Sequence, residues 1–396
     1  MSMQGYLRSD GRKGIRNAVV VAYLVECAHH VAREITYPHR DHAQVIGFPG
    51  CFPNEYAQKM MERLCTHPNV GAVLLVSLGC ESFNRMQLEQ VVRDSGRKVD
   101  TLVIQRTGGT RSAIAKGQGF VAQAIADLAD TPRVAMDLSD LVIGTVCGGS
   151  DGTSGISGNP ATGRAFDQLV AAGAACIFEE TGELIGCEDI MSARAATPAL
   201  ATELRGSVEK AAKYYAALGY GSFASGNANG GLSTIEEKSM GAYAKSGSSP
   251  ISGLIKPGDI PPRGGLYLMD VVPDGPVTFG FPNISDNAEI VEMMASGAHM
   301  TIFVTGRGSV VGSAISPVIK VAANPEMYER LHEDMDINAG RIITGDASLN
   351  DIGTEIFDLV AQVAAGRKTK SEDLGHAEFI LTYKSFEPIG PACLPV

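Results

Sequence analysis

The chain has 396 residues, of which 44% are hydrophobic and 19% are charged, and its formal net charge is −11. This length predicts two domains with ample apolar material for a core. The acidic balance, the few aromatic residues and the lack of a dense run of Lys or Arg argue against nucleic-acid binding. An acidic shell also repels anions, so a pocket for an organic acid needs a positive field of its own.

The segment MSMQGYLRSDGRKGIRN at the start of the sequence has no apolar stretch typical of a signal peptide. The longest apolar runs, residues 18–25 and 71–78, have the length of strands and fall far short of the ~20 residues that cross a bilayer. We therefore expect a cytoplasmic protein with no membrane segment. Eight cysteines in such a protein indicate thiols or metal ligands rather than disulfides.

The first 130 residues alternate short apolar runs with stretches of helical character. The predicted strands are 18–25, 43–48, 72–78 and 101–105. The predicted helices are 27–37, 54–67, 83–95 and 111–129. This alternation is typical of a mostly parallel sheet with helices on both faces.

A second region of the same kind begins near residue 137. Its predicted strands include 141–146 and 175–178, and its predicted helices include 161–172 and 193–218. Residues 221–262 are rich in Gly, Ser and Asn, and we interpret them as an ordered, functional segment. Further units are predicted at 266–272, 288–296, 300–304, 318–322, 349–365 and 378–383.

The predicted fold class is therefore α/β, with two Rossmann-like domains built on mostly parallel sheets. The amino-terminal α/β domain is expected to comprise residues 1–135. The carboxyl-terminal α/β domain is expected to comprise residues 136–396 and to carry long Gly/Ser-rich active-site loops.

Four cysteines share one setting, because each follows a predicted strand: Cys27, Cys51, Cys80 and Cys147. Ligands of open parallel sheets bind outside the carboxyl ends of the strands, so these thiols can converge on one cleft. Thiolates favour iron–sulfur clusters or zinc. The alternative, inert buried thiols, stays open because the sequence has no CxxC pair. The cysteines assigned to packing are Cys65, Cys176, Cys187 and Cys393.

A glycine-rich loop, residues 147–163, leads into a predicted helix. Its backbone N–H groups and the helix amino terminus suit a carboxylate or another anion, and a tight structural turn is an equal alternative. It lacks the Gly-Lys-Ser/Thr ending of a Walker loop. Residues 178–189 are acidic and include Glu180 and Glu183, which suit a metal ligand, a base or a solvated start of a helix.

Two further segments combine charge with small polar residues. Residues 226–253 contain Lys238 and Lys245, each interpretable as a substrate clamp, a base or a surface residue. Residues 305–317 contain Arg307, whose forked guanidinium suits a carboxylate or sulfonate, or a structural role. The histidines interpreted as structural are His29, His30 and His299.

Several motifs together resemble one family. They are GYLRSDGRKGIRN (5–17), GC (50–51), SLGCE (77–81), CGGSDGTSGISGNPATG (147–163), GNANGGL…EKSMG (226–241) and TGRG (305–308). In this order they resemble the altronate/galactarate dehydratase family from residue 5 to about residue 340. The resemblance implies a lyase that depends on iron, as Fe²⁺ or as an iron–sulfur cluster with an open site.

Two departures from the sugar-acid dehydratases of that family favour one branch of it. Those enzymes usually begin with a small additional domain, whereas this sequence starts directly at GYLRSDGR. They also tend to read Gly-Thr-Pro after TGRG, whereas this chain reads SVVGSAISP over residues 309–317. Both features resemble the branch whose small domain is a separate alpha subunit. We therefore expect such a partner and a homo- or hetero-oligomer.

The resemblance implies β-elimination from a small 2-hydroxy acid. Conversion of (2R)-3-sulfolactate to pyruvate and sulfite is favoured, and loss of water from altronate or galactarate is the alternative. The implied iron ligands are Cys51, Cys80 and Cys147, with Cys27 ranked below them.

The family motifs also mark residues for chemistry and binding, to which we assign roles by inference. The expected catalytic residues are Lys238, Glu180, Asp151 and Asp286, with Lys238 as the base and Glu180 as the second choice. The expected sulfonate ligands are Arg307, Ser309 and Ser313. The other expected site residues are Gly149 and Ser150, in the loop assigned to the substrate carboxylate, and Asn159, Asn227 and Glu183.

Overall fold

The computed structural model describes residues 3–179, 181–217, 225–274 and 285–382 of the chain. The strands of the amino-terminal part are β1 Met3–Leu7, β2 Lys13–Gly14, β3 Ala18–Tyr23, β4 Ala43–Gly47, β5 Val70–Ser77, β6 Lys98–Val103 and β7 Arg133–Met136. Its helices are α1 His29–Thr36, α2 Glu55–Cys65, α3 Arg85–Asp94 and α4 Thr110–Leu128.

A parallel sheet in the order β4-β3-β5-β6 is the centre of this part. Every residue of β5 is buried, because helices cover both faces of the sheet. Successive side chains of β3 point to opposite faces of the sheet and pack in different hydrophobic cores. Val20 packs with residues of α2 and α3, and Val21 packs with residues of α1 and α4.

The carboxyl-terminal part is built on a second parallel sheet. Its strands are β8 Val142–Cys147, β9 Ala175–Phe178, β10 Ile251–Ile255, β11 Gly265–Met269, β12 Met300–Thr305, β13 Val318–Ala322 and β14 Ile337–Asn338. Its helices are α5 Gly158–Ala171, α6 Glu188–Ser192, α7 Pro198–Ala217, α8 Ser225–Asn229, α9 Ile235–Tyr243, α10 Asp286–Ala295, α11 Pro325–Arg330, α12 Arg341–Thr344, α13 Leu349–Ala364 and α14 Lys370–Leu374. None of the helices in the described ranges has the length and apolar character needed to cross a bilayer.

The strand order of this second sheet is β10-β11-β9-β8-β12-β13-β14. The chain leaves β8 through α5 and returns on one side, at β9, whereas it leaves β12 toward the other side, at β13. The loops after β8 and β12 therefore diverge between neighbouring strands. Such a switch point opens a crevice at the carboxyl ends of the strands, where ligands of α/β sheets bind.

The predicted α/β fold with mostly parallel sheets is confirmed. A small antiparallel sheet, β2-β1-β7, was not predicted. Its strands are short, and β1 and β7 are partly exposed, so they carry no long apolar run. Residues 378–382, predicted as part of a further unit, form no regular element, and Tyr383 lies outside the described residues.

Helices α2 and α10 join the two large sheets. Met60 of α2 and Met294 of α10 belong to one hydrophobic core. The Tyr56 hydroxyl donates to Glu292 Oε1 at 2.6 Å, and Glu292 is fully buried. The first sheet therefore holds α10 along its flank.

Two buried histidines, His67 and His299, lie where the two parts of the chain meet near the start of β12. Their ring centroids are 6.2 Å apart, and the ring planes are inclined at 62° in an edge-to-face arrangement. The backbone N–H groups of Asn69 and Val142 donate to the Nδ1 atoms of His67 and His299, respectively, and each Nε2 lies against a backbone carbonyl. These partners require neutral rings protonated at Nε2. Burial lowers the pKa of both, that of His299 to about 4.

Candidate active site at the carboxyl edge of the second sheet

Backbone hydrogen bonds hold the loops after β8 and β12 together. Gly148 N donates to Val304 O at 3.1 Å, and Arg307 N donates to Gly149 O at 2.9 Å. Gly149 has a φ of +58°, a conformation that favours glycine. The glycine-rich loop predicted from the sequence therefore lies at the switch point between β8 and β12.

The Cys147 side chain, at the end of β8, is buried among polar groups. Its Sγ lies 3.3 Å from Lys245 Nζ and 3.6 Å from Glu183 Oε2. Ser150 Oγ and Asn159 Nδ2 lie 3.8 and 3.9 Å away. Burial raises the pKa of the thiol, against the opposing effect of the Lys245 cation. Cys147 is thus the centre of a cluster of polar and charged side chains.

Lys238, on α9, forms an ion pair with Glu183 Oε1. The side chains are only 7% and 17% exposed, respectively. Burial lowers the pKa of Lys238, but Glu183, Cys147 and Asp286 offset this effect, and the pKa lies above its ordinary value. In this arrangement, Lys238 is a cation. Lys238 and Glu183 are therefore joined as a charge pair beside Cys147.

Close backbone contacts position the segment that carries both lysines. A Cβ on Gly241 would lie 3.1 Å from the Cα of Gly155. A Cβ on Gly163 would lie 2.2 Å from the carbonyl oxygen of Ala244. Any larger residue at these glycines would push the segment away from α5 and the loop before it. The contacts place Lys238 and Lys245, seven residues and two helical turns apart, on the side that faces Cys147.

Asp286 approaches the same cluster from the amino terminus of α10. Ser285 caps this helix by accepting from Ala288 N. The Asp286 carboxylate lies directly against Gly148, because a Cβ there would be only 1.9 Å from Oδ2. Burial and the Glu183 carboxylate raise the pKa of Asp286 to about 6, against the opposing effects of Lys238 and Lys245. A carboxyl group of this kind exchanges protons near neutral pH.

A cavity of about 340 Å³ opens beside this cluster. Its polar lining includes Ser150, Asp151, Ser154, Asn159, Glu237 and Lys238. Its apolar lining includes Ile156, Leu232 and Met240. The volume and the mixed wall suit a small organic acid.

Two buried amides near the cavity have unused hydrogen-bonding capacity. Asn159 Oδ1 and Asn227 Nδ2 have no hydrogen-bond partner within the described part of the chain. Both side chains are almost fully buried. A buried polar atom without a partner is rare in native proteins, so these two indicate contacts to a polar ligand.

Some predicted site residues lie in the cavity wall and others lie apart from it. Asp151 lines the cavity, but its carboxylate already accepts from Thr153 N at 2.8 Å. The guanidinium nitrogens of Arg307 lie against Gly226, beside Asn227. Neither predicted serine is in the wall, since Ser309 Oγ accepts from Val311 N and Ser313 Oγ contacts Met294 Sδ. Glu180 lies outside the described residues.

The other thiols of the predicted metal site lie elsewhere. Cys27, Cys51 and Cys80 are exposed and follow strands of the first sheet. The loops of Cys51 and Cys80 touch, because Ser82 N donates to Cys51 O at 2.9 Å. Across residues 3–179, 181–217, 225–274 and 285–382, no three His, Cys, Asp or Glu side chains are arranged to hold one metal ion.

The described residues therefore show no group of side chains that could hold one iron ion. Iron at these thiols remains a prediction. Cys65 and Cys176 are buried in hydrophobic cores, and Cys393 lies outside the described residues.

Lys245 is a candidate functional residue to which the sequence alone assigned no single role. Its side chain is fully buried, and Nζ reaches Cys147. The spacing of seven residues between Lys238 and Lys245 could have indicated that both side chains lie on one side. That inference requires residues 235–246 to be helical. The Gly-rich composition of this region concealed that helix.

Two family models together match most of the chain. Residues 5–129 match the second domain of D-galactarate dehydratase/altronate hydrolase. Residues 138–386 match the carboxyl-terminal domain of D-galactarate/altronate dehydratase.

Individual relatives match at similar levels of identity. The chain is 30% identical to the (2R)-sulfolactate sulfo-lyase subunit beta of Chromohalobacter salexigens, over 96% of each chain. It is 28% identical to altronate dehydratase of Bacillus subtilis, over 94% of this chain and 75% of that enzyme. It is 30% identical to galactarate dehydratase (L-threo-forming) of Escherichia coli, over 80% of this chain and 60% of that enzyme.

Proposed function

This chain belongs to the D-galactarate/altronate dehydratase family and is a lyase. We propose that it eliminates a β-leaving group from a small 2-hydroxy acid. The favoured reaction is the conversion of (2R)-3-sulfolactate to pyruvate and sulfite. The observation that carries this proposal is the cavity of about 340 Å³ whose wall includes Lys238, the ion-pair partner of Glu183 and an electrostatic neighbour of Asp286.

Elimination from a 2-hydroxy acid requires two kinds of group. The C2 proton is weakly acidic, so a base must remove it while nearby positive charge stabilises the developing enolate. Lys238 supplies charge in the cavity wall, and Ser150 and Asn159 supply hydrogen-bonding groups. Arg307, on the neighbouring loop, is the proposed partner of the sulfonate, which its forked guanidinium fits.

The proposal includes a separate small subunit. The relative that matches along 96% of both chains is named as subunit beta of its enzyme. By analogy, we expect activity to require an alpha subunit. Iron remains part of this hypothesis as a prediction, which metal and acid-labile sulfide analysis of protein purified without oxygen would test.

A sugar-acid dehydratase is the second candidate. Altronate and galactarate dehydratases are 28% and 30% identical to this chain, close to the value for the sulfo-lyase subunit. The cavity volume of about 340 Å³ also exceeds what a three-carbon acid needs. Elimination would then expel water and yield a 2-keto-3-deoxy acid.

A substrate comparison separates the two candidates. We expect the chain, supplied with the small subunit and iron, to release sulfite and pyruvate from (2R)-3-sulfolactate. Altronate and galactarate are assayed in parallel for 2-keto-3-deoxy acids. Products from only these two acids would establish the alternative, and no product from any of the three would refute β-elimination. The Lys238→Met variant serves as the control for activity that belongs to this cavity.

A further inference from the structure

We propose that Asp286 accepts the C2 proton of the substrate and that Lys238 acts beside it as a fixed cation. This assignment rests on the proposed β-elimination and goes beyond it by naming the base. It also departs from the expectation, based on the sequence, that Lys238 is the base.

The position of Asp286 is the first support. Its carboxylate lies against Gly148, at the end of β8, where the switch point opens the crevice. A methyl group in place of the Gly148 hydrogen would overlap Oδ2, so the loop leaves room for this carboxylate. The capped start of α10 and the packing of that helix against α2 fix the backbone that carries it. A base needs this kind of fixed position.

The surroundings of Lys238 are the second support. A lysine can accept a proton only as a neutral amine, and Glu183 lies in direct ion-pair contact with its Nζ. Burial alone would favour the neutral amine, but Glu183, Cys147 and Asp286 together favour the ammonium. Lys238 is therefore suited to hold negative charge on the substrate or to donate a proton.

Asp286 and Lys238 lie in one cluster, where Asp286 is suited to accept a proton and Lys238 is suited to keep the proton it carries. Glu183 pairs with Lys238, and the negative charge of Glu183 makes Asp286 a stronger base than an ordinary aspartate. Lys245, the other cation facing Asp286, opposes this effect without cancelling it. Neighbouring groups whose proton affinities are displaced in this way are typical of acid–base pairs in active sites.

Every proton and electron pair in the proposed reaction has a donor and an acceptor. Asp286 reversibly takes the C2 proton and leaves the C–H electron pair at C2, delocalised into the adjacent carboxylate as an enolate. This electron pair then forms the C2=C3 bond, and the bond from C3 to the leaving group breaks with its electron pair. Sulfite departs as a dianion, whereas a departing hydroxide takes a proton from Lys238 and leaves as water. Protonated Asp286 then returns its proton to C3. The enol hydroxyl loses its proton to sulfite, or to Lys238 after loss of water, and the 2-oxo acid forms.

Substitutions at the two positions test the assignment once wild-type turnover is established. Asp286→Asn is expected to lower kcat about 1,000-fold, as for loss of a general base, and to abolish exchange of the C2 hydrogen with deuterium from solvent. Asp286→Glu should restore part of both. Lys238→Arg, which keeps the charge, should raise KM more than it lowers C2 exchange. Asp346→Asn, an exposed aspartate on the loop after α12, should change neither.

The opposite pattern would overturn the proposal: C2 exchange at the wild-type rate in Asp286→Asn and none in Lys238→Arg. A measurement without substrate separates this failure from failure of the proposed function. In protein with ¹³C-labelled aspartate side chains, one carboxyl resonance should titrate near pH 6 and be missing from Asp286→Asn. Thermal unfolding of each variant identifies any that fails to fold. Titration of that resonance near pH 4, the ordinary range, would refute the assignment even if no substrate is turned over.

Discussion

Replacing Glu183 with Gln is expected to lower the free energy of unfolding by about 3 kcal/mol, the lower range for breaking a buried ion pair by removing one of its charges. Lys238 would lose a carboxylate that it contacts, with only 7% of its side chain exposed to water. Cys147 would lose a neighbour at 3.6 Å. Urea unfolding monitored by circular dichroism measures the change.

The same substitution should also lower kcat/KM by at least ~100-fold, the lower range for loss of an acid–base arrangement. Without Glu183, Lys238 loses an ion-pair partner, and Asp286 loses the negative neighbour that, together with burial, strengthens it as a base. Asp189→Asn is the matched control, because Asp189 forms an ion pair with Arg205 at 88% exposure. Exposed pairs contribute at most ~1 kcal/mol. Equal effects of the two substitutions would show that the Glu183 pair has no special role.

Acidification is expected to destabilise the protein through His67 and His299. Each Nδ1 accepts from a backbone N–H, so a proton placed there would face another donor. In the unfolded chain, histidine has a pKa of about 6.5. In the folded protein, burial lowers the pKa of His299 to about 4. The unfolded state therefore binds more protons as the pH falls.

The stabilisation from neutral His299 is thus complete above pH 6.5 and is lost between pH 6.5 and about 4. A shift of this size corresponds to about 3 kcal/mol from His299, and His67 adds a loss of the same sign. Urea unfolding at pH 7 and pH 4.5 measures this decline. His299→Gln should flatten it, whereas His332→Gln, at an exposed position, should not. An equally steep decline in His299→Gln would assign the acid sensitivity to other groups.

The fold was predictable because its sheets are parallel and covered on both faces. Continuous apolar runs such as 72–78 are required for such strands, and the structure places β5 there, at Val70–Ser77. The small sheet of β1, β2 and β7 was not predicted because it lacks such apolar runs. Its strands are short, and β1 and β7 are half-exposed, so their sequences show no apolar run that differs from a loop.

The site was predictable in its position and only partly in its composition. The rule that ligands bind at strand ends indicated the loop after β8, and Ser150, Asp151, Asn159 and Lys238 line one cavity in the structure. The same rule applied equally to Cys51 and Cys80, but these follow strands of a different sheet. Periodicity along one chain gives no information about which sheet edge a strand joins. The partnership of Lys238 with Glu183 likewise depends on the packing of separate segments.

Helix α10 has a consequence for exchanging domains among relatives. Its first residue, Asp286, faces the cluster, and its flank packs on α2, where Glu292 accepts from Tyr56 of the amino-terminal part. A chimera that replaces the amino-terminal domain changes the surface against which this helix rests. Designs that recombine family members should therefore transfer α2 and α10 together, as one inherited unit.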